Sequence, residues 1–279
     1  MPVVKFALPA PALRPLITTY YHVAAHAPLE DHLHPEWGNI RFTLRGTWTV
    51  RRPGCADPTP AHGGLFGPSD RTATVTSAGA AAMAGVGLTA QGWQMLIGQP
   101  AVAHANRQCD LRRVHGARAD ALAAALQACD WADMPPLLDA WFTAVAGPVA
   151  LDPQITILEQ ALIDGDLGTV QGFAEGLGLN ERTCARLCLK IFGFSPKRLL
   201  RRQRFLRTLA EIGDRLDQPL ASLLDGSYYD QSHFNREFRS YMGMTPLAYF
   251  HSPRQMMRRA AIERMRTAGA MVQGLHHPS

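Results

Sequence analysis

Short runs in which apolar and polar residues alternate dominate the first half of the chain. Ile40-Arg41-Phe42-Thr43-Leu44 and Thr47-Trp48-Thr49-Val50 carry the period of two expected of half-buried strands, and Gly and Pro separate them. Residues 71–76 and 84–88 add strand-like segments, while Arg51-Arg52-Pro53-Gly54 and Gly63-Gly64 read as turns. The pattern predicts an antiparallel sandwich or small barrel. After His115 the sequence turns to alanine and leucine at helical spacing. Leu122, Leu126 and Cys129 share one face, and Leu137, Leu138, Trp141 and Phe142 another, so a helical tail follows the strands. Ala146-Gly147-Pro148 breaks this pattern, and Asp152-Pro153 offers a capping carboxylate followed by proline in the first turn of a new helix. A domain boundary belongs there.

Beyond Asp152 the period is helical throughout. Ile155, Leu158 and Leu162 mark a first helix ending near Gly165, residues 170–176 a second, and Asn180 caps a third reaching about Phe192. Ser195-Pro196 opens a long basic helix to about Gly213. Pro219 starts a short fifth, Asp230 caps a sixth through Tyr241, and Thr245-Pro246 starts a seventh. The chain therefore reads as α+β in two domains. An N-terminal antiparallel β domain with a helical tail occupies 1–148, an all-α domain of seven helices occupies 152–252, and a basic, then His-rich tail over 253–279 is expected to be frayed and partly disordered.

Composition narrows the class. The 279 residues are 47% hydrophobic and 18% charged, which suits packed domains and excludes a wholly disordered or coiled-coil chain. No apolar run reaches membrane-spanning length, and the proline-rich start does not suit a signal peptide, so a cytoplasmic location is expected. Cys55, Cys109, Cys129, Cys184 and Cys188 form no Cys-x-x-Cys pair, and reduced thiols are the expectation. Charge is uneven. Residues 1–150 hold 11 Lys and Arg against 10 Asp and Glu, whereas residues 151–279 hold 17 against 13. Between Arg182 and Ala210 there are nine basic residues and no acidic one. Such a stretch attracts polyanions, although a solvated helix face would look the same.

Ala174 and Gly178 lie four apart where a short helix must turn, as a helix-turn-helix requires: a small residue at the helix crossing, then a glycine free to adopt the left-handed conformation. On the next helix Cys184, Leu187, Cys188 and Ile191 share one face, and Arg182, Ala185, Arg186 and Leu189 the other. The two cysteines then read as packing residues rather than metal ligands.

Over about 152–252 the sequence resembles the AraC/XylS family of transcription regulators. The residues that carry the resemblance are Ala174 and Gly178 with Phe192-Gly193-Phe194-Ser195-Pro196-Lys197-Arg198, then Tyr228-Tyr229-Asp230-Gln231-Ser232-His233-Phe234-Asn235-Arg236-Glu237-Phe238 and Met242-Gly243-Met244-Thr245-Pro246. The resemblance implies two helix-turn-helix units joined by one long helix, reading successive major-groove segments about 34 Å apart on double-stranded DNA. Carried over by position, it assigns base contacts to Arg182, Ala185 and Arg186 in the first unit and to Gln231, Ser232, His233 and Arg236 in the second. Of these, Arg186 can pair bidentately with guanine. Asp230 and Ser232 also fit caps, and His233 a phosphate or backbone donor. Lys197 and Arg201 on the long helix are assigned to phosphate positioning. Phe234, Phe238 and Tyr241 are expected in the core.

The first half resembles, more weakly, the cupin-like sensor domain that precedes such regions. His32, His34 and Glu36 raise a metal-cupin reading, with His62 as the nearest third histidine, against the plainer one of solvated or core histidines. Trp37, Phe42, Trp48 and Trp93 either line an effector pocket or simply fill the core. The main expectation is a DNA-binding regulator under control of a small effector, not an enzyme, with no cofactor. A homodimer and contact with RNA polymerase stay open, and no membrane partner is expected. The rivals are a metal-dependent cupin-type enzyme carrying a DNA-binding domain and, last, an alkyl-transfer repair protein, which needs a cysteine cluster that isolated Cys55 and Cys109 do not supply.

Overall fold

The computed structural model describes residues 1–165, 168–213 and 231–277. The helix expected from Pro219, the cap at Asp230 and the turn over 223–229 lie outside the described residues. Nine strands, β1 (Val3–Ala7), β2 (Ile17–Ala25), β3 (Leu29–Leu33), β4 (Asn39–Arg45), β5 (Trp48–Arg51), β6 (Gly63–Phe66), β7 (Ala73–Ser77), β8 (Ala81–Leu88) and β9 (Gln108–Asp110), form two antiparallel sheets among the described residues. One is six-stranded in the order β1-β2-β8-β4-β6-β9, the other three-stranded in the order β3-β7-β5. A short turn α1 (Ala90–Gly92) and helices α2 (Arg112–His115), α3 (Ala117–Gln127) and α4 (Met134–Ala146) complete the N-terminal half.

Strand alternation now acquires two destinations. Tyr20, Ile40, Phe42 and Val86 point outward from the larger sheet onto Leu122, Leu126, Leu138 and Phe142 of α3 and α4. Tyr21, Val23, Val50, Val75 and Met83 point into the space between the sheets. The larger sheet is thus buried on both faces, and that is why β2 and β8 are nearly continuous apolar or small-residue runs rather than half-polar ones. Gly85 serves this arrangement directly: a side-chain carbon there would sit 2.0 Å from the Tyr21 ring, so only glycine lets Tyr21 lie across β8.

The C-terminal half comprises α5 (Pro153–Asp164), α6 (Val170–Gly176), α7 (Glu181–Phe192), α8 (Pro196–Gly213), α9 (Gln231–Met242), α10 (Pro246–His251) and α11 (Gln255–Ala268). Three of its helix starts are capped as the sequence predicts: Asp152, Asn180 and Thr245 accept hydrogen bonds from the backbone amides of Gln154, Thr183 and Ala248.

The expected frayed tail is corrected by the structure. Residues 255–268 form α11, followed by a 3-10 turn over Gln273–Leu275, and this segment packs across the mouth between the two sheets, burying Met256. Asp31 and Asn39 of the two sheets account for its order. Asp31 of β3 accepts from the amides of Met256 and Met257 at 2.9 and 3.0 Å, serving the unpaired amides at the start of α11. Gln273 accepts a 2.9 Å hydrogen bond from Asn39 of β4 and donates to the carbonyls of Gly38 and Leu88. Among the described residues no helix is long and apolar enough to cross a membrane.

Candidate functional site

The first helix-turn-helix is built from α6 and α7. Thr169 caps α6 through the amide of Gly172, and Ala174 is buried at the crossing. Gly178 takes φ +67°, after which the amide of Leu179 bonds back to the carbonyl of Ala174 at 2.9 Å and redirects the chain into α7. Cys184, Leu187, Cys188 and Ile191 face the unit's own core, and burial holds both thiols above the usual cysteine range. The opposite face carries Arg182 and Arg186 exposed to solvent and Ala185 half-buried.

The second unit is seen from α9 onward. Phe234, Phe238 and Tyr241 pack with Phe205 and Tyr249, leaving Ser232 and Arg236 exposed and His233 half-buried; Gln231 opens the helix, but its side chain lies outside the described residues. Both units rest on α8, whose positive charges the structure divides. Arg198 meets Asp70 of the barrel, its Nε at 2.8 Å from the carboxylate, and Arg202 is wholly buried with its guanidinium 3.9 Å over the Trp37 ring. Arg207 donates to the carbonyls of Leu162, Ile163 and Gly165. Lys197, Arg201 and Arg204 are left along one groove of about 570 Å³, walled by Thr169 and Val170 on one side and by His233 and Glu237 on the other. Lys197 and Arg201, expected from the sequence to position phosphates, thus lie between the two units, while Arg198 and Arg202, part of the same basic run, are committed to the N-terminal half. Their partners Asp70 and Trp37 are too remote in sequence for any spacing rule to find.

Two of the side chains behind the metal-cupin reading are engaged with other partners. Glu36 accepts from Arg41 at 2.6 Å and lies 3.5 Å from Arg52, and His34 Nε2 lies 2.5 Å from the Tyr249 hydroxyl. Burial and the nearby Arg254 and Arg264 push His34 down to about 4. Among the described residues no three metal-ligating side chains cluster.

A cavity of about 70 Å³ does lie between the sheets and α11. Strand residues such as Val4, Tyr21, Val23 and Met83 line it opposite Met256, Met257 and Arg264 of α11. The four aromatics considered for this role are elsewhere: Phe42 and Trp93 fill the core under α3 and α4, Trp48 packs between the sheets, and Trp37 stacks on Phe192 at the domain junction. Strand alternation could not reveal which of the two buried faces would be left open. At the polar end, Arg41 donates to Tyr21 and Glu36, yet its buried Nη1 has no partner. Arg264 is half-buried, donates to Thr19 at 3.0 Å and stacks on Phe6. Desolvation pulls the Arg264 guanidinium down to about 10.

Residues 173–252 match the family model of a helix-turn-helix domain. No curated protein matches the chain. Among solved structures, ToxT from Vibrio cholerae is 11% identical, with 83% of this chain and 97% of that chain covered and a TM-score of 0.49. ToxT from the same organism bound to an unsaturated fatty acid gives 11%, 89%, 94% and 0.45. The AraC-like transcriptional activator CuxR is 15% identical, covering 77% of this chain and 99% of that chain, with a TM-score of 0.29. The C-terminal half carries a helix-turn-helix domain. The chain is a DNA-binding transcription regulator.

Proposed function

We infer that the exposed faces of α7 and α9 read two adjacent major-groove segments. Arg182, Ala185 and Arg186 contact bases from the first, Gln231, Ser232, His233 and Arg236 from the second, and Lys197 and Arg201 fix the register on phosphates between them. The observation that carries this reading is the division of α7: four apolar residues are spent on its core, and both arginines of its other face are left in solvent. The domain limits follow the same logic, 1–148 for sensing and 152–252 for DNA. The chain works as a regulator in the cytoplasm rather than as an enzyme.

The effector belongs in the cavity under α11. Arg41 and Arg264 place two cations there against the single carboxylate of Glu36, and apart from Tyr21, His34, Asn39 and Gln273 the rest of the wall is apolar. One surplus positive charge with an unpartnered donor favours a monoanion with an apolar body. The present volume admits little more than a head group, so the methionines on both sides must yield to the remainder, as their flexible thioether chains can. Recovery of genomic fragments by the purified protein, repeated with a metabolite extract, tests both halves. The reading expects a discrete set of fragments whose recovery changes with the anionic fraction. Recovery that is random in sequence, or indifferent to every fraction, would contradict it.

A further inference from the structure

Glu237 sits where a DNA-reading surface has least use for a negative charge. It lies on α9 immediately after the proposed base-contacting Arg236 and one turn after His233, faces the groove that separates the two units, and its side chain is only 2% exposed. A carboxylate so placed repels an incoming phosphate unless it does something for the cations around it. Its Oε1 lies 3.5 Å from Arg201 Nε, and its Oε2 lies 3.8 Å from His233 Nε2 one turn back on the same helix. Oε1 is buried and has no hydrogen-bond partner, so the ion pair with Arg201 is its compensation.

The edge by which Arg201 is held matters. A guanidinium engaged through Nε leaves a different edge, the one formed by its two terminal nitrogens, free as a planar fork matched to two phosphate oxygens. The Arg201 side chain is 47% exposed and its terminal nitrogens make no hydrogen bond among the described residues. Lys197 and Arg204 stand one helical turn or less to either side on α8.

We propose that Glu237 is a positioning residue. It holds Arg201 by its Nε edge so that the fork is presented to a backbone phosphate of DNA seated between the two helix-turn-helix units, with Lys197 beside it. The assignment rests on the DNA reading above and adds a part that no base-contact pattern contains.

The sign of one substitution decides between this role and simple electrostatics. Removing a negative charge from a DNA-facing groove raises affinity if charge is all that matters. Glu237→Gln in the full chain, titrated on the tightest recovered fragment at several salt concentrations, is instead expected to weaken binding by about 3- to 10-fold and to flatten the salt slope by about one contact. Arg201→Ala is expected to do the same, and the double variant to be no weaker than Arg201→Ala alone. Arg201→Lys, at an exposed position that does not endanger folding, keeps the charge but loses the fork and is expected to bind nearly as poorly as Arg201→Ala. Equal or tighter binding by Glu237→Gln with an unchanged slope, losses that add in the double variant, or parental binding by Arg201→Lys would each overturn the assignment while leaving the DNA reading intact. A parent chain that binds no fragment would overturn both.

Discussion

On the proposed reading, Arg186 is the residue on which sequence specificity turns most sharply. Its side chain is in solvent, on a helix whose other face is locked by Leu187, Cys188 and Ile191, so truncation should leave the fold unchanged. Arg186→Ala is expected to cost about 1–3 kcal/mol of operator affinity and to relax preference at one base pair, as read by competition with single-base variants of the site. Glu159 makes a different prediction. It accepts from the Ala90 amide at 3.0 Å across the domain junction, and desolvation pushes it up to about 7. A carboxyl whose folded value exceeds its unfolded one keeps the folded state the better proton binder between the two. Its stabilising contribution is complete below the unfolded value near 4.5 and lost as pH rises through about 7. Glu159→Gln, which keeps the acceptor without the charge, should therefore gain stability over the parent from pH 5 to 8, by up to about 3 kcal/mol, in parallel denaturant melts. A constant difference across that range would contradict the burial argument. The exposed position of Arg186 was legible in the sequence because helical spacing separates α7 into two faces. Glu159 was not, since its environment is created by a turn 69 residues away.

The helices between Asp152 and Gly213 were legible to within a residue or two because their signals are local. A carboxylate or amide cap, a proline in the first turn and a glycine at the end all act within four residues. For α11 no such signal exists. Arg254 precedes it with φ +39° and no side-chain cap, and its helix-forming residues read equally well as a basic tail. What orders it is Asp31, more than 220 residues away, whose carboxyl burial holds above its usual range even with three backbone amides donating to it. Asp31→Ala removes that acceptor and is expected to cost about 1–2 kcal/mol in global stability. Hydrogen exchange should show the loss concentrated in 255–268 and in the strands it covers. Uniform loosening of the whole chain would mean that α11 is held by something other than its start.

At the scale of the molecule, the two halves are not beads on a linker. Arg202 beneath Trp37, Arg198 on Asp70, Glu159 on Ala90 and the amide of Thr72 on the carbonyl of Tyr241 tie barrel to helices at separate points, and α11 returns to close the barrel. A single calorimetric unfolding transition is expected, with calorimetric and van't Hoff enthalpies equal; two resolved transitions would show that the junction does not couple the halves. The division into a β half and a helical half was readable from the change of hydrophobic period at residues 115–152. The junction was not, because its partners share no period and lie in different halves. The central claim remains that two helices held on one scaffold read DNA together. Hydroxyl-radical footprinting of the full chain on its tightest genomic fragment tests it most directly. Two protected backbone segments on one face of the duplex, about one helical turn apart, are predicted. A single protected segment, or none at a concentration that saturates binding, would contradict it.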